Sequence, residues 1–439
     1  MIEKIISQPS ADVVNPLLFS MGEDVMGFLN EVQLQYPNAI SFASGRPDAK
    51  YFKIEQFSEC LDYFVKNSAR EKGLEENIVL ENLGQYNRTK GIINEEVSKY
   101  LLLDESIKAA PEDILITVGA QEAISIGITT LCDRENDVIL VEDPAYIGIT
   151  HFAKINDYKI ESIPVIADES SIKAIEEKIL EHQKKGKKVK VVYVIPDFQN
   201  PTGNSMSLAN RRQLLALARL YDFVIFEDNA YGDFYYEKDK MPTLKSLDQN
   251  HNVIYLRSLS KTIYPSLRLC LMVVTQKVNV QGKIFALSDL MAKTKGYVTV
   301  NTPSIMQAMF GGLLLKNEFS LESLNAEKRA GMKEKRDQLL ESLNHFFNKQ
   351  TQSWAESISW NSPAGGFFLI VKVPFEITKE DVIRCAEVNK VIFTPMSFFY
   401  MDKGGENELR LAFSNVTSEE IKNGIERLSE FIKSKVRNQ

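Results

Sequence analysis

Paired cysteines, clustered histidines, blocks of like charge and long apolar runs are all missing from this chain. The four cysteines (Cys60, Cys132, Cys270, Cys385) lie far apart with no C-x-x-C pair, and the four histidines (His151, His182, His251, His345) are equally scattered. That spacing argues against a disulfide framework or a zinc site and fits reduced thiols in the cytoplasm. No stretch reaches the ~18 apolar residues that a membrane helix needs. The N-terminus, MIEKIISQPSADVVNPLLF, is broken by charge and proline where a signal peptide requires a continuous apolar core. The 52 basic and 59 acidic residues are interspersed, for a net charge of -7, so no basic face is offered to nucleic acid or to an anionic membrane.

What the chain does have is length and alternation. Its 439 residues, 44% hydrophobic and 25% charged, suffice for two domains. Short apolar runs at 114–117, 138–141, 159–164, 189–195, 223–226, 253–257 and 269–274 read as strands, and helical patterns such as 171–184 and 207–221 separate several of them. Repeated units of this kind predict an α/β fold with a mostly parallel sheet covered by helices on both faces. Beyond about residue 305 a long charged helix over 319–347 leads to a smaller α+β domain, with strands at 366–373 and 408–413 and helices at 378–388 and 418–433.

In such a sheet, ligands sit at the carboxyl ends of the strands. Those positions hold Tyr146 after 138–141, Asn200 after 189–195, Asp228 and Tyr231 after 223–226, and Ser258-Leu259-Ser260-Lys261 after 253–257, with Arg268 close behind. Serine hydroxyls and a guanidinium suit phosphate oxygens, and a lysine amine beside them can condense with an aldehyde. Pyridoxal 5'-phosphate carries both groups. Ala120 and Gln121, following Gly119, would add the amides of a helix N-terminus, a ready anion site. Taken singly, each has a structural alternative: Tyr146 a packed aromatic, Asn200 a turn former, Asp228 a helix cap, Lys261 a solvated lysine. Four at successive strand ends, all suited to one ligand, favour a shared site.

Three further candidates lie elsewhere. Gly45 would let backbone approach a ligand closely, and Arg46 beside it is either a carboxylate partner or a surface arginine. Arg410 alternates with Leu409 and Leu411 and so projects from the face opposite the apolar one, as a clamp or as an exposed strand arginine. The loop 82–91 places Tyr86, Arg88 and Lys90 between two glycines, as a binding loop or a solvated connection.

The motifs G-A-Q-E-A at 119–123, D-P-A-Y at 143–146, Q-N-P-T-G at 199–203, E-D-N-A-Y-G at 227–232, S-L-S-K at 258–261, P-A-G-G-F-F at 363–368 and L-R-L-A-F-S at 409–414 occur in this order. From about residue 16 onward the chain resembles the fold-type I, pyridoxal-phosphate-dependent aminotransferases of class I/II, in the aromatic, kynurenine and 2-aminoadipate branch. The loop L-G-Q-Y-N-R-T-K-G, with F-L-N-E and S-F-A-S-G-R-P-D, also resembles transaminases that make aryl-glycines.

The resemblance implies a three-layer α/β/α large domain over 51–305, a small domain over 306–439, and a segment 1–50 associated with the latter. It implies Lys261 as the amine that meets the cofactor aldehyde and Asp228 as the partner of the ring nitrogen. Tyr231 and Asn200 would bond the ring hydroxyl oxygen, and Tyr146 would stack on the ring. Ser258, Ser260, Arg268 and the Ala120 and Gln121 amides would hold the phosphate. Arg410, with Asn200, Gly45 and Arg46, would bind substrate. A homodimer with shared active sites follows, each copy lending Tyr86 to the other. Asn87 stands where many relatives have glycine, and asparagine tolerates the left-handed backbone that such a loop would need. The expected reaction is ping-pong exchange of an amino group between an aromatic or 2-aminoadipate-like amino acid and a 2-oxo acid such as 2-oxoglutarate. The rivals are decarboxylation, elimination or racemisation on the same cofactor, and a non-catalytic sensor domain of aminotransferase-like regulators. The first 50 residues leave no room for the winged helix of such a regulator and hold no basic helix.

Overall fold

The apolar runs bounded by turns become the seven strands of a central sheet: β1 (Ile114–Val118), β2 (Asp137–Asp143), β3 (Ile160–Pro164), β4 (Lys188–Val194), β5 (Val224–Asn229), β6 (Val253–Ser258) and β7 (Leu269–Val273). The computed structural model describes residues 15–20, 25–237 and 239–437; the expectations for residues 1–14 lie outside these. In space the strand order is β1-β7-β6-β5-β4-β2-β3. Strands β6, β5, β4, β2 and β3 run parallel, and β7 is antiparallel to both β6 and β1. The connection from Ser258 to Leu269 holds a 3₁₀ turn, Pro265–Leu267, and no crossover helix, so β7 has to turn back. Every residue of β6 and β7 is buried, as strands covered on both faces must be. The mixed, mostly parallel α/β/α sheet expected from the sequence is therefore present. Three adjacent strands, β4, β5 and β6, end side by side and deliver the residues that follow them to one place.

A second, antiparallel sheet is built from β8 (Ser359–Trp360), β9 (Phe368–Lys372), β10 (Thr394–Pro395) and β11 (Glu408–Ala412), in the order β8-β9-β11-β10. Near it, Ile40–Ser41 pairs in parallel with Val391–Ile392, which brings the early segment carrying Gly45 and Arg46 against the C-terminal part of the chain. The long helix Glu322–Phe346 packs on the last helix, Ser418–Arg437.

Two local expectations are corrected. The helix expected over 378–388 is regular only over Lys379–Arg384, where Thr378 and Asp381 form a capping box. It then widens into a π turn, Cys385–Asn389, closed by the Lys390 amide bonding to the Cys385 carbonyl. Asn87 does not adopt the left-handed backbone. Its side chain holds the loop instead, with Nδ2 donating to the Asn82 carbonyl at 2.8 Å and to Ser304 Oγ at 3.0 Å. Among the described residues, no helix is long and apolar enough to cross a membrane.

Beneath the ends of β5 and β6 lies a buried ionic cluster. The fully buried Arg257 guanidinium pairs with Asp233 and meets the Tyr100 hydroxyl at 3.2 Å. Lys240 bonds Glu105 at 2.9 Å and Asp233 at 3.0 Å, and Asn325 of the Glu322–Phe346 helix donates to Asp233 at 2.7 Å. Burial alone would raise the Asp233 carboxyl, but Arg257 and Lys240 hold it well below the usual range. Without that carboxylate the buried Arg257 and the part-buried Lys240 are left to share Glu105 alone. Asp233→Ala should therefore lower stability by about 3–5 kcal/mol in denaturant unfolding; a loss under about 1 kcal/mol would show that the cluster is hydrated and weak.

Candidate active site

A cavity of about 960 Å³ opens where the carboxyl ends of β2, β4, β5 and β6 face the second sheet. Its lining includes Tyr146, Asn200, Asp228, Tyr231, Ser258, Ser260, Lys261 and Arg268, the Ala120–Gln121 helix start, Gly45, Arg46 and Arg410. All the candidates from the sequence meet here except those of the loop 82–91, Tyr86, Arg88 and Lys90. Tyr86 is 84% exposed and stands outside the cavity of its own chain.

One end of the cavity is shaped for an anion. The helix Gly119–Leu131 begins at the cavity wall, and Gly119 (φ 74°) has the left-handed backbone that only glycine adopts freely. Its Cα faces the Arg268 guanidinium, leaving no room for a side chain. The first helical amides have no acceptor within the helix. Arg268 Nη1 donates to Ser260 Oγ at 3.2 Å, and the Ser260 amide donates to Ser258 Oγ at 3.5 Å. Amides, hydroxyls and a guanidinium thus converge, a donor set that suits a phosphate.

At the centre, Lys261 Nζ donates to the Gly45 carbonyl at 2.9 Å. Burial, with the positive charges of Arg410, Arg268 and Arg46, pushes its pKa down to about 8. Burial likewise pushes the Asp228 carboxyl up to about 6, opposed by a hydrogen bond from Tyr193 and by the Lys261 charge. Tyr193 Oη donates to Asp228 Oδ2 at 2.7 Å, while Oδ1 is buried and has no partner among the described residues. Such an orphaned acceptor is expensive unless a ligand supplies a donor.

At the second sheet, Arg410 is 4% exposed. It lies opposite its apolar neighbours Leu409 and Leu411 as expected, but that face is covered as well. Its guanidinium sits between the rings of Phe368, at 4.4 Å, and Phe399, at 4.5 Å. Nη1 donates to Asn200 Oδ1 at 2.7 Å and Nη2 to the Ala43 carbonyl at 2.8 Å, and Nε is buried without a partner. Burial pushes its pKa down to about 10. Gly45 is close-packed here: a Cβ on it would lie 2.6 Å from the Phe368 ring. Arg46 is exposed at the cavity wall.

Sequence reasoning misses Tyr193, and for the run Phe398-Phe399-Tyr400 it offers either pocket lining or packing in the small domain; Phe399 lines the cavity. The signal for Tyr193 is faint: a lone hydroxyl in the apolar run of β4, whose register sets it opposite Phe226 on β5.

Residues 67–428 match the family model for aminotransferases of class I and II. The chain belongs to that family. It is 38% identical over 431 residues to an Amycolatopsis orientalis (S)-3,5-dihydroxyphenylglycine transaminase, covering 98% of this chain and 96% of the relative. It is 30% identical to a Thermus thermophilus 2-aminoadipate transaminase, over 91% of each chain. A Pyrococcus horikoshii kynurenine aminotransferase, solved in complex with PMP, superposes with a TM-score of 0.78 at 28% identity, covering 99% of this chain and 97% of that one. The protein is an aminotransferase that exchanges an amino group between an amino acid and a 2-oxo acid, and its cofactor is pyridoxal 5'-phosphate. The residues present fit that group. The cavity offers an anion cradle, an amine of depressed pKa, and an unpartnered carboxylate oxygen able to accept from a ring N–H.

The neutral amine is the reactive form. In the aminotransferase freed of cofactor, labelling of Lys261 by an amine-reactive reagent should rise with pH through a midpoint of about 8 and then level off. An exposed lysine would still be climbing toward ~10.4; a midpoint above 10 would contradict the burial argument.

Proposed function

We propose that this aminotransferase carries out ping-pong exchange between an aromatic or 2-aminoadipate-like L-amino acid and 2-oxoglutarate. The observation that carries the reading is the joint placement in one cavity of the Lys261 amine, the open Asp228 oxygen and the Arg410 guanidinium. In this reading Ser258, Ser260, Arg268 and the Ala120 and Gln121 amides hold the cofactor phosphate. Tyr146 covers the ring, and Asn200 and Tyr231 bond its hydroxyl oxygen. When bound, the cofactor would supply an aldehyde carbon that takes up the amino group and later returns it, and an electron-poor ring that draws electrons from the substrate α-carbon.

The chain's own residues do the rest. Asp228 accepts from the ring N–H and keeps that nitrogen protonated. Arg410 binds the substrate α-carboxylate, held flat between Phe368 and Phe399, and Gly45 and Arg46 complete that wall. The Lys261 amine removes the proton from the substrate α-carbon, which its depressed pKa suits near neutral pH. Anchoring the carboxylate at Arg410 favours its retention over decarboxylation.

In the same reading residues 51–305 form the cofactor-binding domain and 306–439 the small domain, with segment 1–50 joined to the latter. Two copies form a homodimer in which the exposed Tyr86 of each reaches the cavity of the other. The four free thiols suit a reducing cytoplasm.

Two measurements test this. Lys261→Ala should lose nearly all turnover, together with the visible absorbance of the loaded wild-type protein, and a variant retaining full activity would end the assignment. Mixing Lys261→Ala with Tyr86→Ala subunits should restore roughly a quarter of wild-type activity, since one site in each mixed dimer of a symmetric pair regains both groups. No recovery would refute the shared site. A panel of amino donors with 2-oxoglutarate then identifies the donor.

A further inference from the structure

We infer that Tyr193 is a positioning residue for the aminotransferase: from the neighbouring strand it fixes the Asp228 carboxylate so that one oxygen faces the cofactor ring nitrogen. This rests on the reading of Asp228 given above. Tyr193 is 3% exposed and is not part of the cavity lining, so it touches neither cofactor nor substrate and acts only through Asp228.

The geometry divides the two carboxylate oxygens. Oδ2 accepts from Tyr193 at 2.7 Å, and Oδ1 is left buried and unpaired on the other side. The donor cannot reverse its role. Burial, with the Asp228 charge beside it, pushes the Tyr193 phenol far up, so it keeps its proton at any working pH. The other groups near Asp228 are the Lys261 amine, the Tyr146 and Tyr231 phenols and the Cys270 thiol. Of these, only Lys261 favours the ionised carboxylate by its charge, and that amine is itself driven toward neutrality. Among the described residues Tyr193 is accordingly the one neutral side-chain donor bonded to Asp228, and without it burial would carry the carboxyl further toward its protonated form. A protonated carboxyl can no longer pair with a protonated ring nitrogen.

Tyr193→Phe keeps the ring and removes only the hydroxyl. The test compares binding of pyridoxal 5'-phosphate and of 1-deazapyridoxal 5'-phosphate, which has C–H in place of the ring nitrogen, to the cofactor-free protein by titration calorimetry. Wild type should prefer pyridoxal 5'-phosphate. Tyr193→Phe should lose roughly tenfold or more of that preference, the scale of a hydrogen bond to a charged group, with binding of the deaza compound unchanged. In the loaded variant kcat falls while the KM for the amino donor holds. A variant that keeps the full preference overturns the inference and leaves the reading of Asp228 standing; a wild type with no preference overturns both. Should Tyr193→Phe fold poorly, 3,5-difluorotyrosine at position 193, a stronger donor of similar shape, should increase the preference, and an unchanged or smaller one counts against the inference.

Discussion

Burial of the Asp228 carboxylate governs the rest of the cavity, because a charge taken out of water must be paired or neutralised. One oxygen is satisfied by Tyr193, and the other finds no partner among the described residues. The same loss of water moves Lys261 in the opposite direction, lowering an amine while it raises a carboxyl, so both groups are brought toward neutrality by one physical cause. With Arg268 and Arg410 also on the lining, the cavity holds more positive charge than Asp228 balances. That balance suits anions.

The sheet makes this arrangement possible. Because β4, β5 and β6 are parallel neighbours, the residues following each emerge at one edge, and Asn200, Asp228 and Lys261 need no long loops to meet. Arg410 arrives from a different sheet and is tied back by its bond to Asn200. Behind the strand ends, the pairing of Arg257 with Asp233 and the bond from Asn325 join β6 to the Glu322–Phe346 helix.

Much of this was readable before any coordinates. Asp228, Asn200, Tyr146 and Lys261 are polar or aromatic residues placed directly after apolar runs, and the α/β alternation says where such residues go. Tyr193 was hidden because it lies inside an apolar run, and its partner appears only once β4 and β5 are put in register. Phe399 is not legible in the sequence because its contact with Arg410 joins two segments that pattern alone does not bring together. The helix Ser304–Lys316 gave no stripe to detect, since SIMQAMFGGLLLK is apolar almost all round. At Asn87 the residue type suggests backbone freedom, whereas a side-chain bond to distant Ser304 holds the loop.

Gly45 couples two ends of the cavity that otherwise look independent. Its carbonyl receives the Lys261 amine, and its Cα lies against the Phe368 ring that stacks on Arg410. Any side chain at this position would displace that ring and tilt the guanidinium, while shifting the carbonyl under the amine. A larger residue 45 would therefore disturb the surroundings of the Lys261 amine and of the Arg410 guanidinium together.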